Sequence, residues 1–172
     1  MENNKQPRFL LVGSKRFGKD SLAEILNEEF GLTYKSSSME AAKIFIFNVL
    51  KYKYKYKTLE ECFEDRVNHR AEWHSLICDY NKHDKARLAK EIMATSNIYV
   101  GMRDTEEINE CMRQNLFDLI IWVDASERLP MEDKSSFNID KTCADIIIEN
   151  NGDYESFKDK AIRLFNLIMK KY

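Results

Sequence analysis

The stretch Arg-Phe-Leu-Leu-Val-Gly at 8–13, followed at once by Ser-Lys-Arg-Phe-Gly-Lys-Asp-Ser at 14–21, constrains the fold of this chain more than any other. A short apolar run closed by glycine reads as a buried strand. The segment after it carries Leu22, Ile25, Leu26 and Phe30 at helical spacing, with Gly31 placed as a C-terminal stop. The turn between them holds Gly13, Gly18 and Lys19 in the order G-x-x-x-x-G-K, the pattern of a loop whose backbone N–H groups cradle phosphate. A strand, a phosphate-type loop and a helix in that order open an α/β chain.

The rest of the chain continues the alternation. Residues 32–36 suit a second strand, and a helix follows from Ser37 or Ser38 as N-cap. Residues 58–95 read as mostly helical. Residues 97–101 form a third strand, 105–115 a helix, 117–125 a strongly apolar strand and 144–152 a last strand. The C-terminal stretch is an amphipathic helix with Phe157, Ile162, Leu164, Phe165 and Ile168 as its apolar stripe. Strands with continuous apolar cores alternating with helices argue for a parallel sheet covered on both faces, here of five strands. The departure from plain alternation is the long helical insertion between the second and third strands. The run Lys-Tyr-Lys-Tyr-Lys-Tyr-Lys at 51–57 alternates charge and ring, which predicts an extended segment with one aromatic face. It reads either as a solvated connector whose tyrosines lie on the fold or as a basic aromatic surface for nucleic acid.

A triphosphate must be held without covalent bonds. Gly13, Ser14, Lys15, Arg16, Phe17 and Gly18 would supply the concave row of N–H groups, the following helix start its positive end, and Lys19 a reach to the outer phosphates. Position 20, where the pattern asks for a hydroxyl, is Asp20, and the hydroxyl comes one later at Ser21. Two readings stand for Asp20. A carboxylate there can serve a magnesium ion, which prefers hard oxygen ligands, with Ser21 reaching a phosphate or a metal-bound water. Alternatively, it favours the positive helix start and points away from the ligand.

Composition excludes several classes. The 172 residues suit one domain, and a net charge of −2 gives no support for bulk binding to a nucleic-acid polymer. No apolar run has the length of a membrane span, and the polar start 1–9 has no signal-peptide core. Cys62, Cys78, Cys111 and Cys143 are far apart, with no C-x-x-C pair and no histidine at ligand spacing. They read as reduced thiols of a cytoplasmic protein, and zinc is not expected.

Five segments carry a family resemblance. Residues 13–21, 65–77, 97–107, 117–126 and 144–152, in that order, resemble segments of the bacteriophage deoxynucleoside monophosphate kinases, whose phosphate loop uses a G-K-D-[ST] variant. The last segment and its helix are also similar to dephospho-coenzyme A kinase and other nucleoside monophosphate kinase-like folds. The resemblance implies a single three-layer P-loop NTPase domain over 1–172, with a five-stranded parallel sheet in the order 2-3-1-4-5. It also implies a helical acceptor-binding insertion at about 39–95 and a short lid at about 126–141. ATP would be the donor, Mg2+ the cofactor and a (deoxy)nucleoside monophosphate the acceptor. The location would be the cytoplasm, that of the host if the chain is viral, and a homodimer is left open.

The resemblance also implies site residues. Arg66 and Arg70, four apart, would share a helix face and hold the acceptor phosphate together with Ser38; the plain alternative is a solvated face paired with Glu64, Asp65 or Glu72. Trp73 would stack on a base or pack in the core. Arg103, just past the third strand, stands where ligands meet the carboxyl ends of parallel strands. Related kinases place an arginine there in an Asp-Gly-x-Pro-Arg run, whereas this chain has Val-Gly-Met-Arg-Asp, without the aspartate and the proline. Asp124 is then a substitute metal-side carboxylate, or a strand-end cap. Arg128, with help from Lys134, would act from the lid. Asn150, Asn151 and Gly152 would border the adenine, or simply form a tight turn. Two other functions remain open: a kinase for another phosphorylated small molecule, such as dephospho-coenzyme A, and a nucleotide-binding module without turnover.

Overall fold

The computed structural model describes residues 6–134 and 137–172. Five strands form one parallel sheet: β1 (Phe9–Val12), β2 (Tyr34–Ser36), β3 (Ile98–Val100), β4 (Leu119–Asp124) and β5 (Ile146–Glu149). Their order is β2-β3-β1-β4-β5, as the resemblance implies. Helices α1 (Lys19–Phe30) after β1 and α7 (Thr105–Arg113) after β3 make two of the crossovers, and among the described residues the connection from β4 to β5 carries only a 3-10 turn (Lys141–Cys143); α8 (Tyr154–Met169) follows β5.

Alternation along the strands divides the core in two. Phe9 and Leu11 of β1 and Ile121 and Val123 of β4 face α1 and α8. Their neighbours Leu10, Val12, Ile120 and Trp122 face the opposite layer. Both faces of the central strands are therefore apolar, which is why β1 reads as an unbroken hydrophobic run. In α8, Phe157, Ala161 and Phe165 recur every fourth residue and are buried, with the Phe165 ring edge-on to Phe9 at 5.4 Å. Gly31 ends α1 with φ +68, a left-handed turn that suits glycine, and its N–H returns to the carbonyl of Asn27.

The insertion between β2 and β3 is helical, with two corrections to the sequence reading. The cap of its first helix, α2 (Ser37–Ala41), is Ser36, whose hydroxyl accepts from the Met39 N–H at 3.3 Å. Ser37 instead donates to the Gly101 carbonyl. A π-helical turn (Ala42–Ile46) then leads into α3 (Phe47–Tyr54). The predicted extended segment at 51–57 is therefore helical through Tyr54 and turns at Lys55, φ +61. Helical spacing divides the tyrosines: Tyr52 is 81% exposed, while Tyr54 and Tyr56 pack beside each other with ring centroids at 5.6 Å. The alternation lost to the apolar residues on its N-terminal side, which continue the helix into it.

Next come α4 (Leu59–Asp65), a 3-10 turn (Arg66–Asn68), α5 (Arg70–Tyr80) and α6 (Arg87–Met93). Asn81, 2% exposed, ties this layer together: its amide donates to Glu107 Oε1 at 2.8 Å and its oxygen accepts from the Leu88 N–H at 3.1 Å. All four cysteines are free. Among the described residues no helix is long and apolar enough to cross a membrane.

Candidate active site

The loop from Gly13 to Lys19 leaves the carboxyl end of β1 at the centre of the sheet and curls into the start of α1. Two glycines make the curl sterically feasible. Gly13 has φ +143, and a Cβ there would lie 2.5 Å from the Val123 carbonyl oxygen on β4. Gly18 has φ +101, and a Cβ there would lie 2.3 Å from the Asn150 amide nitrogen. Arg16 also takes a left-handed φ of +64. Phe17 and Ser14 are fully buried, while Lys15, Arg16 and Asp20 face solvent.

Lys19 folds back over the curl, its ammonium donating to the Gly13 carbonyl at 2.7 Å and the Ser14 carbonyl at 2.8 Å. Burial lowers its pKa to about 8; Arg103 pushes the same way, while Asp20 and Glu132 oppose. Lys19 therefore shares one electrostatic environment with Asp20, Arg103 and Glu132.

Asn150 plays a part the sequence did not suggest. Buried at the end of β5, it donates its amide to the Phe17 carbonyl at 2.9 Å and its N–H to the Asp124 carbonyl at 2.6 Å. Its own carbonyl accepts from Arg128 Nε at 2.6 Å. The side chain braces the underside of the loop, and Arg128 is pinned to the strand end. Asn151 accepts from the Glu127 N–H through its side chain, and Gly152 is exposed beside it.

Arg66 and Arg70 do not lie on one helix, contrary to the sequence reading. Asp65 ends α4 by accepting from the Asn68 amide at 2.6 Å, while the His69 ring lies 3.0 Å away and Tyr56 donates from the other side. These contacts favour a 3-10 turn over continuation of the helix. The two guanidinium groups still act on each other: burial lowers the Arg66 pKa first, Arg70 lowers it further, and Asp20 opposes. Arg66 lies over the Phe63 ring at 3.7 Å and donates to the Phe63 carbonyl at 2.7 Å. Arg70 is exposed at the first position of α5 and makes no ion pair among the described residues. Ser38 is half-buried in the first turn of α2. Trp73 is 5% exposed in the core, edge-on to Phe63, and its indole N–H has no partner among the described residues.

Arg103 follows β3 and is fixed on both sides. Asp104 caps α7 by accepting from the Glu106 N–H at 2.7 Å. The Arg103 carbonyl accepts from the Asn138 N–H, and Thr105 is bound by Asn138 in turn. The segment expected as a lid thus grips the backbone beside Arg103, and it reaches the loop through Met131 and Glu132. The Glu132 N–H donates to Ser14 Oγ at 3.1 Å, and its carboxylate accepts from the Lys15 N–H at 2.7 Å and from Arg103 at 2.8 Å. Ser135 and Ser136 of that expected lid lie outside the described residues. A cavity of about 390 Å³ lies beside Glu132, lined among others by Trp122, Asp124, Met131, Phe137 and Lys141. Lys134 is exposed at its rim. Asp124 accepts from the Ser126 N–H at 2.8 Å. Burial disfavours its charge, but those hydrogen bonds prevail and hold its pKa below the ordinary carboxylate value.

The structure thus brings Asp20, Arg103 and Glu132 into the field of Lys19, with Asn150 beneath the loop, while Arg66 feels Asp20 on one side and Arg70 on the other. Neither Asn150 as a brace nor Glu132 as a loop ligand was foreseen. A carboxylate in a polar connection has no sequence signal, and the Asn-Asn-Gly end of β5 reads equally well as a turn.

A five-stranded parallel sheet in this order, with a glycine loop at the central strand and helices around it, is the P-loop kinase fold. Among solved structures the chain is similar to a dephospho-CoA kinase from Campylobacter jejuni, at TM-score 0.55 and 17% identity over 95% of this chain and 98% of that one. It is also similar to a shikimate kinase from Acinetobacter baumannii in complex with shikimate, at TM-score 0.52 and 15% identity over 98% and 96% of the two chains. A shikimate kinase from Bacteroides thetaiotaomicron gives TM-score 0.51 and 12% identity over 94% and 98%. No protein-family model and no curated protein sequence matches the chain.

Proposed function

We propose that this chain is an ATP-dependent phosphotransferase whose acceptor is a (deoxy)nucleoside monophosphate. The observation that carries the reading is the pairing of two cation sets. Lys19 and the loop suit one polyanion, while Arg66 and Arg70, close enough to repel, suit a second anion that relieves their repulsion. Arg103 lies within the electrostatic reach of Lys19. A protein that only bound one nucleotide would have no use for the second set.

The residues present fit a magnesium ion shared with phosphate. Asp20 and Ser21 offer hard oxygens in the first turn of α1, beside the loop. Among the described residues no three His, Cys, Asp or Glu side chains converge into a protein-only cage, so phosphate and water would supply most of the coordination. When bound, the ion would neutralise charge on the outer phosphates.

The chain's own residues would do the rest. The loop N–H groups and Lys19 hold the donor phosphates, and Arg66, Arg70 and Ser38 orient the acceptor. Arg103 would sit on the transferred group, with Arg128 supporting it from the strand end. An acceptor phosphate is already ionised near neutral pH, so positioning and charge neutralisation suffice without a general base. Asn151 and Gly152 would border the adenine.

A panel of the four deoxynucleoside monophosphates, the ribonucleoside monophosphates, dephospho-coenzyme A and shikimate, each with ATP and Mg2+, tests the reading through ADP formation. Transfer to a nucleoside monophosphate is expected. Transfer to dephospho-coenzyme A or shikimate alone would redirect the acceptor assignment, and ATP binding without turnover on any of them would leave a nucleotide-binding module. Arg70→Ala is expected to raise the acceptor KM while leaving ATP affinity within about twofold; equal loss of both would remove Arg70 from the acceptor site.

A further inference from the structure

One carboxylate touches both halves of this site. Glu132, its side chain 14% exposed, accepts through Oε2 from the Lys15 N–H of the loop at 2.7 Å. Through Oε1 it accepts from Arg103 Nη1 at 2.8 Å. Its own N–H donates to Ser14 Oγ at 3.1 Å, and Lys19 lies within its field. A loop N–H, an arginine and a nearby ammonium are the donors that recognise a phosphate oxygen. Resting on the phosphotransferase reading above, we propose that Glu132 is an internal anion that competes with the donor's phosphates for the loop, and that its displacement by ATP releases Arg103 to the transferred group.

The arrangement links the two substrates. While Glu132 holds the loop, Arg103 is engaged by it, so the acceptor side is under-charged. A polyphosphate entering the loop takes the Lys15 N–H and brings a second negative charge up to Glu132. Repulsion then drives the carboxylate outward, away from Arg103. Donor binding therefore precedes acceptor binding, and the affinity of the free protein for ATP is scaled down to the fraction of molecules in which Glu132 has left the loop. The short reach of the contact explains the choice of residue: the backbone of position 132 is itself anchored on Ser14, so a side chain of glutamate length spans from the loop to Arg103.

Calorimetric titration of the full chain with inorganic tripolyphosphate and with Mg–ATP tests this, using the wild type, Glu132→Gln, Glu132→Asp and a net-charge control, Glu155→Gln, on the first turn of α8. Tripolyphosphate has no base and reports the loop alone. Both Glu132 variants are expected to bind both ligands about tenfold more tightly, within the usual range of linked equilibria, while Glu155→Gln binds as the wild type. Equal affinity in wild type and Glu132 variants would overturn the internal competitor and leave the kinase reading standing. Weaker binding in the variants would overturn it too, by making Glu132 a ligand-holding group. Absence of binding by any variant or the wild type, with normal melting curves, would bring down both the competitor and the phosphotransferase reading. Melting of each variant without ligand separates these outcomes from loss of fold.

Discussion

Glu107 gives the structure its sharpest test in pH. It lies in the first turn of α7, 8% exposed, with Asn81 donating to one oxygen. Burial raises its pKa from 4.5 to about 7, Asp104 adds to the rise, and the Asn81 hydrogen bond and Lys85 oppose it. Burial raises Tyr99 and Cys111 as well, Cys111 to about 12, and the charge of Glu107 adds to both. Between the unfolded and folded pKa values the native state keeps a proton that the unfolded chain has released. The stabilisation is therefore complete below about pH 4.5 and is lost as pH rises through about 7. At 1.36 kcal/mol per pH unit the loss is about 3 kcal/mol. Glu107→Gln keeps the acceptor for Asn81 and removes the titration. The difference in unfolding free energy between variant and wild type should thus shift by about 3 kcal/mol in the variant's favour from acid to about pH 8. For a chain of this size that is roughly 6–12 °C in melting temperature. Urea unfolding followed by circular dichroism at a series of pH values measures it directly. A difference that stays constant across the series would show that Glu107 titrates alike in both states and would refute the burial argument.

Other expectations follow from the loop. Lys19→Ala should remove phosphoryl transfer by at least about a thousandfold with little change in melting temperature; retained turnover would dissociate the loop from chemistry. Because Lys19 must be charged to hold phosphate and its pKa in the free protein is about 8, kcat/KM for ATP should fall as pH rises through about 8, an inflection that Lys19→Arg moves upward. Asn150→Ala leaves the Phe17 carbonyl without its partner and should cost about 1–3 kcal/mol of stability together with ATP affinity, read by chemical unfolding and calorimetry. Trp73→Phe removes a buried N–H that has no partner among the described residues, so it should change stability by less than about 1 kcal/mol, whereas Trp73→Ala should cost about 3–5 kcal/mol.

Much of the architecture was legible because its signals are local. The apolar runs around β1 and β4 are buried on both faces, and their short length between turn residues favours a strand over a buried helix. The strand order came from the resemblance and is what the sheet shows. The loop was legible through Gly13 and Gly18, where backbone geometry leaves room for no side chain. Failures came where a decision rests on which side chains actually meet rather than on residue spacing. The break between Arg66 and Arg70 depends on Tyr56 and His69 converging on Asp65, which a helical spacing count cannot register. The helix through Tyr54 overrides a perfect two-residue alternation because Leu50 and its neighbours are already committed to the core. Glu132 reaches residues more than a hundred positions away, and only the folded chain brings them together.

The brace under the loop has a consequence for how the protein is made. The Phe17 carbonyl waits for Asn150, and Gly13 is packed against Val123, so the loop is shaped by strands far downstream of it. A growing chain has the whole motif well before β4 and then β5, which supply its bracing contacts. Truncated products ending before residue 150 would carry the motif without its scaffold, and the ability to bind phosphate should appear only once β5 and Asn150 have been made.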